Sequence, residues 1–89
     1  MLEQQITIIN RLGLHARAAA KFVNVAKSFA CTITLSKGDQ VVDGKSIMSV
    51  MLLAASQGVH LTLTAEGEDE DSALQALSDL VANRFDEQE

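Results

Sequence analysis

The sequence predicts an α+β fold of order βαββαβα: an open-faced β-sandwich in which one four-stranded antiparallel sheet carries three helices on one face. Three observations lead there. Four segments alternate apolar and polar residues with the period of a half-buried strand. Three others repeat apolar residues at spacings of three and four, the period of an amphipathic helix. Strands with one polar face each need cover on one side only, which places the helices together.

The first strand spans Gln4 to Ile9, with the β-branched run Ile6-Thr7-Ile8-Ile9, and Gly13 breaks it. A helix follows from Ala16 to Phe29. Ala19, Phe22, Val23, Ala26 and Phe29 form its apolar face, and Arg17, Lys21, Asn24 and Lys27 its polar one. Cys31, Ile33 and Leu35 then alternate with Thr32, Thr34 and Ser36. Lys37-Gly38-Asp39 is a turn, and Gln40 to Val42 returns as a hairpin partner. Ser46 is a favoured N-cap for a short helix with Ile47, Val50, Met51 and Ala54 on one stripe, and Gly58 is placed as its closing glycine. Val59, Leu61, Leu63 and Ala65 alternate with His60, Thr62 and Thr64 as the fourth strand. The acids Glu68 to Asp71 precede the last helix, whose apolar stripe is Ala73, Leu74, Leu77, Leu80, Val81 and Phe85.

A chain of 89 residues predicts one domain, 1–89. One cysteine, Cys31, excludes an internal disulfide and fits a reducing compartment. It shares parity with Ile33 and Leu35 and is expected to be buried. No apolar run approaches the ~20 residues that cross a bilayer, and the N-terminus lacks a signal-peptide pattern, so a cytoplasmic protein is expected. A net charge of −5 argues against nucleic-acid binding. The charges are unevenly placed. Arg11, Arg17, Lys21, Lys27 and Lys37 fall between Asn10 and Gly38, a stretch with no acid, whereas nine acids oppose only Arg84 from Glu66 onward. Such asymmetry fits either a basic face for an anion or an ordinary solvated helix face. No metal-ligand spacing, paired carboxylate or nucleotide loop occurs, so neither a metal, a cofactor nor an independent catalytic site is expected.

The start of the first helix departs from helix chemistry. N-caps favour Ser, Thr, Asp or Asn, and first turns favour acids. Here the boundary residue is His15 and the first turn carries Arg17. A cation there is unfavourable by roughly 0.3–1 kcal/mol. The arrangement fits a site where an anion arrives: helix N–H groups and a guanidinium fork bind phosphate oxygens, and a neutral imidazole offers a nucleophilic lone pair. The plainer reading is a histidine that closes a helix end beside a solvated arginine.

Gly13-Leu14-His15-Ala16-Arg17 resembles the phosphorylation-site motif of the histidine-containing phosphocarrier (HPr) family of the phosphoenolpyruvate-dependent sugar phosphotransferase system. The segment Asp43-Gly44-Lys45-Ser46-Ile47-Met48, about thirty positions on, is similar to that family's regulatory-serine segment. The resemblance covers essentially the whole chain and implies the sheet order 1-4-2-3. It also implies a monomeric carrier, not a free-standing enzyme, with enzyme I phosphorylating His15 on Nδ1 and enzyme IIA proteins receiving the group. Arg17 and the backbone amides of Ala16 to Ala18 would hold the phosphate. The family usually has proline after the motif arginine, whereas Ala18 stands here and keeps its N–H.

Ser46 caps a helix on its own merits; the resemblance adds phosphorylation by an HPr kinase/phosphorylase. Ile47, Met48 and Met51 cannot all face the core of so short a helix, and methionine suits adaptable surfaces. The family docks partners there and on the first helix, which here would offer Arg17, Ala20, Asn24 and Lys27. Within the family, a nitrogen-related paralogue is the alternative. Outside it, the alternative is a regulatory binding protein that does not serve transport.

Overall fold

The computed structural model describes residues 1–88. The strands are β1 (Leu2–Thr7), β2 (Thr32–Lys37), β3 (Gln40–Asp43) and β4 (His60–Glu66). The helices are α1 (Ala16–Lys27), α2 (Ile47–Leu52) and α3 (Glu70–Ala82), followed by a 3-10 turn at Arg84–Asp86. The sheet order is β1-β4-β2-β3 with every neighbouring pair antiparallel. Register explains the two faces. Ile6 pairs with Leu61, Leu63 with Leu35, and Ala65 with Ile33, all buried beneath the helices. Gln5, Thr62 and Ser36 form a polar row across the other face.

The core joins that inner sheet face to Phe22 and Val23 of α1, Val50 of α2 and Leu77 of α3, with Cys31 buried as its parity requires. Burial, aided by Asp69, pushes the Cys31 thiol pKa up, which favours the protonated thiol over the thiolate. His60 lies on the exposed face, its Nδ1 2.8 Å from Thr7 Oγ1.

Several boundaries differ from the sequence reading. The first strand begins and ends two residues earlier; Ile8 still exchanges backbone hydrogen bonds with Val59 and Gly58 just before β4, and the connection toward α1 starts after it. The first helix ends at Lys27, with Ser28 as its C-cap, so Phe29 lies beyond it and packs on the core from the following turn. Gly58 does not close α2. That helix stops at Leu52, and the left-handed residue after its cap is Ala54, with φ 49°; Gly58 instead turns the chain into β4. Of the carbonyls at the end of α2, Val50 O and Met51 O accept from backbone N–H groups, while Leu53 O accepts from Lys37 Nζ at 2.9 Å and Leu52 O from Gln40 Nε2 at 3.4 Å. Phe85, placed on the stripe of the last helix, lies beyond it in the 3-10 turn, although it is fully buried.

Candidate functional site

The loop before α1 is shaped by Gly13. Its φ is +69°, and a Cβ there would sit 2.6 Å from Ala55 O, so both conformation and space demand glycine. Leu14 N–H donates to Ala55 O at 2.8 Å, which ties the loop to the segment after α2. His15 then emerges as the N-cap of α1, with φ −75° and ψ 178°. Its Nδ1 accepts from Arg17 N–H at 3.3 Å, a long bond that a better acceptor can displace. The first intrahelical bond is Ala19 N–H to His15 O. The N–H groups of Ala16, Arg17 and Ala18 thus have no acceptor within the helix. Ala16 and Arg17 are exposed, Ala18 is buried, and no acid lies in the first turn.

Arg11, Leu12, Arg17, Lys21, Asp86, Glu87 and Gln88 line an open groove of about 620 Å³ beside this helix start. Three of the basic residues in the acid-free stretch converge on it. Lys37 does not, being bound at the end of α2, and Lys27 lies exposed on the last turn of α1. The charge asymmetry therefore has two origins, one local to the groove and one structural.

The far side of the imidazole meets a residue with no counterpart in the sequence reading. His15 Nε2 lies 2.5 Å from Glu87 Oε2, and both side chains are mostly shielded from solvent. Asn10, fully buried, donates from Nδ2 to Glu87 Oε1 at 2.9 Å and to Gly13 O at 2.8 Å. The Asn10 bond, with His15 and Lys21 acting in the same direction, outweighs partial burial and lowers the pKa of the Glu87 carboxyl below its ordinary value. Asn10 stands within the segment singled out in the sequence, but only burial of its amide reveals its part. Glu87 lies in an acidic tail without periodicity and left no signal.

Ser46 is the N-cap of α2 and accepts from Ser49 N–H at 3.3 Å. Beyond it Met48 is 74% exposed, Ile47 and Met51 are 38% and 39% exposed, and only Val50 of this helix is buried. Ala20 is half-buried and Asn24 exposed on α1. No cluster of three or more His, Cys, Asp or Glu side chains able to hold a metal occurs among the described residues.

The fold and this helix start define a class: small open-faced α+β sandwiches whose first helix is capped by a histidine beside a groove that mixes Arg11, Arg17 and Lys21 with Asp86 and Glu87. The family profile described as "PTS HPr component phosphorylation site" matches residues 2–83. The chain belongs to the HPr family, the phosphocarrier proteins of the phosphotransferase system. It is 59% identical to the phosphocarrier protein HPr of Pseudomonas aeruginosa, over 96% of each chain. It is 42% identical to the phosphocarrier protein NPr of Shewanella violacea, over 97% of this chain and 94% of that one. The crystal structure of HPr from Thermoanaerobacter tengcongensis superimposes with a TM-score of 0.96 at 46% identity, covering 100% of both chains.

Proposed function

We propose that this chain is a monomeric cytoplasmic carrier that takes a phosphoryl group from phospho-enzyme I on His15 Nδ1 and passes it to enzyme IIA proteins. The observation that carries the reading is the placement of Nδ1 at the opening of α1, where it accepts from Arg17 N–H. In the first transfer the Nδ1 lone pair attacks phosphorus, and the bond from phosphorus to the donor breaks with its electron pair staying on the donor. The second transfer runs the same exchange toward the acceptor. Arg17 and the amides of Ala16 and Ala18 hold the phosphate oxygens in between, strongly enough to capture the group and weakly enough to release it.

Ile47, Met48 and Met51, with Ala20, Asn24 and Lys27 on α1, form the docking face in this reading. Phosphorylation of Ser46 by an HPr kinase/phosphorylase would add nearly two negative charges at the cap of α2, beside that face. The sugar-type branch is favoured over the nitrogen-related one by the higher identity to HPr relatives, 59% against 42% for the NPr relative.

Incubation with phosphoenolpyruvate and enzyme I tests the carrier role. Wild type should acquire an acid-labile phosphate that His15→Ala cannot; a wild type that never acquires label contradicts the reading. Incubation of wild type and Ser46→Ala with ATP and the kinase tests the regulatory role, with label expected on wild type alone.

A further inference from the structure

Carrier chemistry at Nδ1 leaves the other nitrogen of the ring without a role, yet the chain goes to some length to reach it. Glu87 arrives through Arg84, Phe85 and Asp86, three consecutive residues with φ of 55°, 53° and 65°. Left-handed backbone is unfavourable for residues with a Cβ by roughly 1–2 kcal/mol each, so the surroundings must hold the turn. Phe85 is fully buried, Lys21 Nζ donates to its carbonyl at 2.9 Å, and Asn83 Nδ2 donates to Asp86 Oδ1 at 2.8 Å. Burial of Phe85 accounts for the turn but not for the aim of the residue after it. That aim is set by buried Asn10, which fixes one carboxylate oxygen while the other meets His15 Nε2. The family match ends at residue 83, before this turn begins.

We propose that Glu87 is a positioning residue for phosphoryl transfer: it holds the ring proton on Nε2, so that Nδ1 presents its lone pair to phosphorus. The inference rests on the carrier reading given above. Two contacts decide the tautomer. Arg17 N–H points at Nδ1, which can accept only if unprotonated, and Nε2 then carries the hydrogen and donates to the carboxylate. As the Nδ1–P bond forms, the ring gains positive charge with its Nε2 proton still in place, and the adjacent carboxylate stabilises it. On onward transfer that bond breaks, its electron pair returns to Nδ1, and a neutral ring remains. A carboxylate that orients an imidazole in this way is established physical chemistry in other proteins. Without Glu87 the proton redistributes between the nitrogens, and a ring protonated on Nδ1 has no lone pair where the helix amides wait.

Wild type, Glu87→Ala and Glu87→Gln separate the possibilities. The ¹⁵N shifts of the His15 ring are read on the alkaline plateau of their own titration, together with the rate of labelling by phosphoenolpyruvate and enzyme I. Wild type should show the Nε2–H form. Glu87→Ala should show a mixture and take up label about tenfold more slowly, the scale of losing an outer partner that orients an imidazole. Glu87→Gln, whose carbonyl can still accept the Nε2 proton, should recover much of the tautomer preference. A Glu87→Ala protein with the wild-type tautomer and the wild-type rate overturns the proposal. If wild type takes no label, the carrier reading fails, and the ring shifts still decide whether Glu87 holds the proton.

Discussion

Helices α1 and α3 begin with opposite charge: α3 carries Glu70 and Asp71 in its first turn, whereas α1 carries no acid there and has Arg17. At α3 the acids come from the helix start itself and bind within the fold. Asp69 forms no cap on its own helix; its carboxylate accepts from the N–H groups of Ala30 and Cys31 at 2.8 and 2.9 Å, joining the end of α1 to the start of α3. Glu70 accepts from Gly67 N–H at 3.3 Å and pairs with the Met1 ammonium at 3.1 Å. At α1 no acid is local. The carboxylate bonded to His15 comes from Glu87, 72 residues along the chain, and it meets Nε2 instead of the helix amides. The acids at the start of α3 are engaged in contacts that hold the fold together; the start of α1 has no acid of its own and presents a histidine cap and an arginine instead.

The largest effect expected from breaking this contrast is on the ligand side. Arg17→Ala should slow phosphoryl uptake by about tenfold, the low end for a charged hydrogen bond because Arg17 is exposed, and leave thermal stability unchanged. Rapid-quench labelling and a melting curve check the two halves.

Ser46→Ala removes the cap of a six-residue helix and should lower stability by about 1 kcal/mol, read by urea denaturation, while labelling of His15 continues. It sharpens the contrast, since α2 is capped by its own serine whereas α1 opens on a histidine.

A smaller change makes α1 resemble α3. Ala16→Glu puts an acid in an exposed first-turn position and should raise stability by roughly 0.3–1 kcal/mol while slowing labelling. Gain in one with loss in the other is the signature of a helix start kept unfavourable for function; a gain in both would contradict it.

The smallest effect on His15 is expected from the far helix. Asp69→Asn should lower stability and leave the labelling rate alone. Hydrogen bonds from Ala30 and Cys31 lower the pKa of the Asp69 carboxyl, so its contribution is full above a carboxylate's ordinary pKa of about 4 and fades as pH falls through the lowered folded value. The stability gap between wild type and Asp69→Asn should therefore close in acid. Melting midpoints across that range provide the check.

The contrast also marks how far the sequence can be read. His15 and Arg17 were legible because each breaks a local rule of helix starts, and local rules act within a few residues. Ser46 was legible because it obeys one. Alternation placed Cys31, Leu35 and Leu63 inward and His60 outward for the same reason. Glu87 was not legible, since its position depends on a left-handed turn and on a buried amide 77 residues away. The end of α2 was misplaced because Ala54 takes the left-handed conformation that glycine was expected to supply. What tertiary contacts impose on a residue leaves no periodic trace around it.

The most direct test of an open α1 start is a pair of spectra on the protein before and after phosphorylation by phosphoenolpyruvate and enzyme I. The amide resonances of Ala16, Arg17 and Ala18 should move, the phosphorus should be bonded to Nδ1, and the amides of Ala30 and Cys31, bound to Asp69, should stay in place. Phosphorus on Nε2, or amides at the start of α1 that do not respond, would contradict the account.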